Sequence, residues 1–267
     1  MSRQATVLGQ TGVSQYRLDG QVALVTGATG GLGGAMCHAL ALSGAHIAVA
    51  DLPGRLDDAA RLAAELTTLH GVRAQAFTMD VTHIATIEEA VAQIERDLGG
   101  PDVLIANAGV NIPRPALDVS EEDWDRVLDV DLKGVFFTCQ AAGRRMVARG
   151  RGSIVNIASQ NGVVGYPQRA AYCAAKAGVV NLTRVLAIEW AAHGVRVNAV
   201  GPTFVETPLT RVTLSQPEIR DDILRRIPLG RLGTPQEVAN AVLFLASPAA
   251  SLITGTCLLA DGGWTAI

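Results

Sequence analysis

Residues 21–50 constrain the fold more than any other part of the chain. They contain no Asp, Glu, Lys or Arg, yet glycines at 27, 30, 31, 33, 34 and 44 interrupt them. So apolar a stretch is either sealed inside a protein or placed in a bilayer. A membrane-spanning helix needs about 20 consecutive apolar residues, and no unbroken run here reaches that length. The pattern reads instead as a buried strand (Val22–Thr26), a glycine loop, a buried helix over 35–42 and a second buried strand over 47–50. A strand that is apolar on both sides belongs in a parallel sheet covered by helices on both faces.

The same rhythm continues along the chain. Ala74–Thr78, Val103–Ala106, 154–157, 195–200 and 258–260 are short apolar runs separated by helical patterns. Ser120 precedes Glu121, Glu122 and Asp123, a cap followed by three acids where a helix dipole favours negative charge. Thr234-Pro235-Gln236-Glu237 is a capping box with proline at the first helical position. There is no internal repeat and no compositional break. The expectation is one α/β domain over 18–267, a doubly wound parallel sheet in three α/β/α layers.

Residues 1–17 lack periodicity and are read as a flexible N-terminal arm. Residues 203–227 break the rhythm with Pro208, Pro217 and several charges. Ligands of open α/β sheets bind beyond the carboxyl ends of the strands. This long connection is therefore read as a substrate lid, with an ordinary surface helix pair as the alternative.

At 267 residues the chain can bury a substantial core. Its 22 Lys and Arg against 25 Asp and Glu leave a net charge of −3, which gives no electrostatic basis for binding nucleic acid or an anionic membrane. Cys37, Cys139, Cys173 and Cys257 form no C-x-x-C pair, and no histidine joins them at metal-ligand spacing. No metal is expected, and the thiols are read as reduced in a cytoplasmic protein. The polar opening residues lack the apolar stretch of a secretory signal.

After the first strand, Thr26-Gly27-Ala28-Thr29-Gly30-Gly31-Leu32-Gly33-Gly34 runs straight into a helix. Glycines there allow a tight turn and let backbone N–H groups approach a pyrophosphate at the helix N-terminus. Asp51 ends the second strand, at the spacing where a carboxylate accepts both hydroxyls of an adenosine ribose and repels a 2′-phosphate. That favours NAD(H) over NADP(H), with Arg55 the nearest opposing cation. Asp80 and Val81 follow the third strand, and Asn107, Ala108 and Gly109 follow the fourth, on the same edge as the glycine loop. An acid beside an apolar neighbour suits adenine, and small residues suit a ribose packed on backbone, although each also makes a plain turn.

Tyr172 and Lys176 are spaced to share one helix face, and Ser159 lies just beyond the strand over 154–157. A free tyrosine, with a pKa near 10, is a poor base at neutral pH. An ammonium about 4 Å away contributes about 4 kcal/mol at an effective dielectric of ~20, enough to bring the phenol toward neutrality. Such a phenol exchanges protons with an alcohol or ketone oxygen, and Ser159 holds that oxygen by a hydrogen bond.

Thr26-Gly27-x-x-x-Gly31-x-Gly33, Asn107-Ala108-Gly109, Ser159 and Tyr172-x-x-x-Lys176 together resemble the short-chain dehydrogenase/reductase family over about residues 18–265. The resemblance implies a Rossmann-type fold, metal-free hydride transfer between a secondary alcohol and its ketone, and a homotetramer. It implies Tyr172 as acid/base, Ser159 as the orienting hydroxyl, and Lys176 as a ligand of the nicotinamide ribose besides its effect on the phenol. Gly27, Thr29, Gly31, Leu32 and Gly33 then serve the dinucleotide, as do Pro202, Val205 and Thr207.

Two positions depart from the family pattern. Asp131 stands where an asparagine is usual; that position acts through its backbone carbonyl, so its part in catalysis is expected to survive. An ionised Asp131 raises the tyrosine pKa, less so when paired with Lys133. Thr203 replaces the usual glycine after Pro202.

Asn111, Arg114, Gln160, Asn161 and Gln168 fall in segments expected to border a pocket and suggest a hydroxylated substrate, a sugar or polyol. Gln160-Asn161-Gly162 as a mere turn is the alternative. An NADPH-dependent 3-oxoacyl-thioester reductase would use the same trio, and a non-catalytic NAD-binding sensor would need only the fold. Asp51 speaks against the first, and the intact trio against the second.

Overall fold

The structure, a computed structural model, describes residues 12–266. The described residues form seven strands: β1 (Val22–Thr26), β2 (His46–Asp51), β3 (Ala74–Thr78), β4 (Val103–Ala106), β5 (Gly152–Ile157), β6 (Val195–Pro202) and β7 (Cys257–Ala260). They make one sheet in the order β3-β2-β1-β4-β5-β6-β7, with every neighbouring pair parallel. The helices are α1 (Gly31–Leu42), α2 (Leu56–His70), α3 (Ile84–Leu98), α4 (Glu121–Leu128), α5 (Val135–Arg149), α6 (Ala170–Trp190), α7 (Pro208–Leu214), α8 (Pro217–Arg225) and α9 (Pro235–Ala246).

Side chains of a strand alternate between the two faces of the sheet, which explains why β1 reads as a continuous apolar run. Ala23 and Val25 face a layer containing Met36 and Leu40 of α1 and Val242 and Leu245 of α9. Val22 and Leu24 face the opposite layer, with Ile87 and Ile94 of α3, Met146 of α5 and Val179 of α6. Full burial of one such aliphatic side chain contributes about 1.5–3 kcal/mol. The doubly wound, three-layer sheet expected from the alternation is the fold of this chain. Strands β2 and β3 lie to one side of β1, and β4 to β7 to the other, so the order reverses between β1 and β4. A crevice opens there at the carboxyl ends.

Helix α1 starts earlier than the sequence pattern suggests, at Gly31 within the glycine cluster. Its first turn lies directly on the loop, where a Cβ on Gly33 would come within 2.5 Å of the Gly27 carbonyl oxygen. Segment 203–227 contains the two short helices α7 and α8, each beginning at a proline. They carry a small core of their own, in which Leu214, Ile223, Ile227 and Trp264 pack with Tyr166 and Phe204.

Helix α6 with its terminal turn is the one described segment with the length and apolarity of a membrane span. It packs against β6 and carries the buried Lys176. Of the arm expected over 1–17, residues 1–11 lie outside the described residues. Val13–Tyr16 forms a 3-10 turn that places the Tyr16 ring 6.4 Å from that of Phe244.

Candidate active site

A cleft of about 290 Å³ opens over the carboxyl ends of the central strands. One end is the glycine loop. Gly27 has φ +59°, a conformation that favours glycine, and a Cβ there would lie 3.0 Å from Ala108 Cα. A Cβ on Gly31 would meet the Thr207 Cβ at 2.8 Å, so the loop touches the far wall of the cleft. The turn after β4 clasps the loop from the side. Thr26 Oγ1 accepts from the amides of Asn107 (3.0 Å) and Ala108 (3.1 Å), while Asn107 Nδ2 donates to the carbonyls of Thr26 (2.9 Å) and Gly27 (3.0 Å). The first turn of α1 has Gly30 as its cap and no capping side chain. Its amides and dipole are left facing the cleft, an arrangement suited to an anion.

Asp51 is 8% exposed at the edge of this end. Its Oδ2 accepts from the Thr29 amide (2.9 Å) and hydroxyl (2.6 Å), and its Oδ1 accepts from the Leu52 amide (2.9 Å). The carboxylate is thus fixed in orientation before any ligand arrives. Arg55 borders the same edge, but its guanidinium pairs with Asp58 at 2.6 Å.

The other end is built from side chains. Ser159 stands just past β5, and Tyr172 and Lys176 share a face of the first turns of α6. The Ser159 hydroxyl borders the same cleft as the Tyr172 phenol and favours its ionised form. Lys176 Nζ donates to the Ile157 carbonyl at 2.9 Å and lies 5.5 Å from the centre of the tyrosine ring. Between α4 and α5 the helix widens into a π turn, Asp129–Gly134, which delivers Asp131 to the same place. Such widened turns recur at functional sites.

Asp131 has no exposed surface, and Lys176 is 3% exposed. Asp131 Oδ1 accepts from the Val110 amide at 2.7 Å. Its Oδ2 lies 3.1 Å from Lys176 Nζ, a charge contact in which Oδ2 has no aligned hydrogen-bond donor. Lys133 pairs with Asp129 instead, at 3.0 Å.

This geometry corrects the electrostatic expectation for Tyr172. Burial is the largest influence and pushes the phenol above its ordinary value; Lys176 pulls it down, and Asp131 pushes it up again. Burial disfavours the Lys176 cation, but the Asp131 carboxylate and Tyr172 outweigh it and hold the ammonium above its usual range. Burial in turn raises Asp131 against the pull of Lys176 and the Val110 amide. Asp131 acts in the direction expected of an ionised carboxylate, with Lys133 paired elsewhere; what the sequence left out is the burial of the phenol. The net shift is upward, which favours the protonated phenol.

The cleft is bordered by Gly27, Thr29, Gly31, Leu32, Asp51, Asn107, Ala108, Gly109, Asp131, Ser159, Tyr172, Lys176, Pro202, Val205 and Thr207. Three residues singled out in the sequence do not border it. Gly33 is turned under the loop. Asp80 directs its carboxylate to its own turn, accepting from the Thr82 amide (2.9 Å) and hydroxyl (2.7 Å). Val81 is buried in contact range of Gly134.

A side pocket of about 70 Å³ adjoins Ser159 and Tyr172. Asn111, Gln160 and Asn161 line it as expected, whereas Arg114 and Gln168 are exposed elsewhere, Arg114 paired with Asp123 at 3.1 Å. Arg169, Phe204 and Thr210 also line it and were missed in the sequence. Only for Arg169 was there a signal, its position one helical turn before Tyr172.

The sequence profile of a family described as enoyl-(acyl carrier protein) reductase matches residues 27–265. A D-threitol dehydrogenase of Mycolicibacterium smegmatis is 45% identical over 251 residues, covering 94% of this chain and 95% of that protein. An NAD-dependent glycerol dehydrogenase of Listeria innocua is 40% identical over 250 residues, covering 94% of this chain and 96% of its own. The crystal structure of a gluconate 5-dehydrogenase from Burkholderia cenocepacia, in complex with NADP and tartrate, superposes with a TM-score of 0.91 at 35% identity, covering 95% of this chain and 98% of that one.

Proposed function

Because the chain belongs to the short-chain dehydrogenase/reductase family and is an oxidoreductase acting on CH–OH donors, we propose that it interconverts a secondary alcohol of a polyol and the matching ketone, using NAD(H). The observation that carries this reading is that Ser159, Tyr172, Lys176 and Asp131 border the same cleft as the glycine loop and Asp51.

The residues fit an adenine dinucleotide. Side chains at Gly27 or Gly31 would fill the cradle, the α1 amides face it, and Asp51 is already oriented by Thr29 and Leu52. Gly27, Thr29, Gly31 and Leu32 would hold the diphosphate, with Thr207 opposite. Asp51 would take the adenosine ribose, while Asn107, Ala108, Gly109 and Lys176 would lie along the nicotinamide half beside Pro202 and Val205. Gly33 would act by letting the loop and α1 pack. Asp80 and Val81 would meet the adenine only at the margin. A bound dinucleotide supplies the acceptor or donor for the carbon-bound hydrogen and its two electrons.

The chain's own groups handle the proton. In the reducing direction, Ser159 donates a hydrogen bond to the ketone oxygen and Tyr172 gives up its phenolic proton to it. The resulting phenolate faces the Lys176 ammonium, whose position is fixed by the Ile157 carbonyl. In the oxidising direction the phenolate must form first, so alkaline pH favours alcohol oxidation.

NAD(H) over NADP(H) rests on the Asp51 carboxylate and on the pairing of Arg55 with Asp58; the Listeria relative is named as NAD-dependent, and the Burkholderia structure holds NADP. The polyol reading draws on the threitol and glycerol relatives. Further parts of the proposal are closure of segment 203–227 over the substrate and a cytoplasmic homotetramer. The four free thiols and the exposed Leu117 and Leu252 are compatible with these last two.

The test is a screen of the purified protein with NAD⁺ and NADP⁺ against polyols, sugars, simple secondary alcohols and, in reverse, a 3-oxoacyl thioester. Polyol oxidation with a higher kcat/KM for NAD⁺ supports the proposal. NADPH-driven thioester reduction would replace it, and NADH binding without any turnover would leave a dinucleotide sensor.

A further inference from the structure

Among the described residues, seven buried side-chain polar atoms have no hydrogen-bond partner in the protein. Five of them belong to four residues that line the side pocket beside Ser159 and Tyr172: Asn111 Oδ1, both ends of the Gln160 amide, Asn161 Oδ1 and Thr203 Oγ1. Buried polar groups are nearly always paired in folded proteins, so this concentration next to the reacting groups points to a ligand that completes it.

Gln160 is the most informative of the four residues. It is 1% exposed, and its backbone carbonyl already accepts from the amides of Val163 (2.9 Å) and Val164 (3.0 Å). The Ser159 hydroxyl accepts from the Asn161 amide at 3.1 Å. The turn is therefore held by its main chain and by Ser159, and the Gln160 side-chain amide takes no part in it. Which end of that amide carries the oxygen does not matter, because neither end has a partner. A donor and an acceptor stand side by side.

Hydroxyls on adjacent carbons match this pair: one donates to Oε1 and the next accepts from Nε2. A carboxylate has no proton for Oε1, and a hydrocarbon chain serves neither end. Arg169 lines the same pocket with its guanidinium 6.0 Å from the Tyr166 ring centre. It would suit a carboxylate carried on the same hydroxylated chain, which leaves the match of Gln160 to neighbouring hydroxyls unchanged.

We propose that Gln160 reads a pair of neighbouring hydroxyls beside the reacting carbinol, with Asn111, Asn161 and Thr203 taking further hydroxyls. The substrate is then a polyhydroxylated molecule rather than a simple alcohol or an acyl thioester. This rests on the oxidoreductase reading above, since the pocket selects substrate only if Tyr172 transfers its proton.

The experiment compares kcat/KM of the wild-type protein for D-threitol, 2,3-butanediol and 2-butanol, which keep a four-carbon chain and a secondary carbinol while losing hydroxyls. Each unmet buried partner costs on the order of 10- to 100-fold, so the three alcohols should fall in that order by steps of about this size. Gln160→Leu should narrow the ratio of threitol to 2-butanol by a similar factor. Thr203→Val, outside the 160–162 turn, should narrow it independently. Melting curves and NADH fluorescence show that the variants remain folded. Equal rates along the series, or an unchanged ratio in both variants, would overturn the inference and leave the oxidoreductase reading standing. No turnover of any alcohol by the wild-type protein would overturn that reading, and the inference with it.

Discussion

At the glycine-loop end of the cleft the polar side chains are engaged within the protein and only backbone amides stay open, whereas at the Gln160 end five buried side-chain atoms have no partner. The loop is held by Asn107 and Thr26, and the Asp51 carboxylate accepts three hydrogen bonds. The Tyr172 end contains instead a buried ion pair, a phenol raised by burial and unpaired amides. A backbone cradle with no side chains to rearrange suits a ligand part that is always the same. A pocket of unsaturated side chains suits a part that must be chosen, because a guest that fails to pair them is penalised.

Four substitutions break or sharpen this contrast. The largest effect falls at the chemical end. Tyr172→Phe should lower kcat by about 10²- to 10⁴-fold, the usual worth of a positioned proton donor, with NADH affinity by fluorescence titration nearly unchanged. Substantial activity in this variant would remove the assigned role.

Gly33→Val tests the other end, where even a Cβ would lie 2.5 Å from the Gly27 carbonyl and 2.6 Å from that of Ala28. It should cost about 1–3 kcal/mol of stability and weaken NADH binding; a variant binding NADH normally would show that the cradle is not rigid.

At Asp51, replacement by Ser removes the charge that repels a 2′-phosphate. The ratio of kcat/KM for NADPH over NADH should rise at least about tenfold, a modest share of the Coulomb energy of two such charges in a protein. An unchanged ratio would assign cofactor choice elsewhere.

Asp131→Asn gives the smallest and most specific change. It removes one of the groups that hold the Tyr172 phenol up, so the phenol ionises at lower pH. The alkaline rise in alcohol oxidation should move to lower pH, read from a profile of kcat/KM against pH. Lys176 retains its bond to the Ile157 carbonyl in this variant. An unmoved profile would mean that Asp131 only positions Lys176 and Val110.

The contrast between the two ends also separates what was legible in the sequence from what was not. The glycine loop, Asp51 and Asn107 were legible because they are local: each lies at the end of a strand whose apolar run marks it. Tyr172 and Lys176 were legible because helical spacing alone puts them on one face. The early start of α1 was hidden, since it depends on Gly33 packing under a loop. The π turn at Asp131 was hidden too, since it brings a residue of the α4–α5 run against α6. Arg114 and Gln168 adjoin the pocket-lining Arg169 through the main chain but do not line the pocket themselves. Phe204 and Thr210 show the reverse: segment 203–227 returns them to the pocket after β6.

The sequence by itself determined the alternation of strand and helix, hence a parallel sheet wound in both directions, and the order of the groups along its carboxyl edge. Periodicity and glycine placement are properties of a few consecutive residues, and the chain expresses them wherever it lies. Only the tertiary structure decided the direction in which the Tyr172 phenol is shifted, because burial acts on it through space and, together with Asp131, outweighs the helical neighbour. It likewise decided which amides stay unpaired, since a missing partner is a property of everything packed around a side chain.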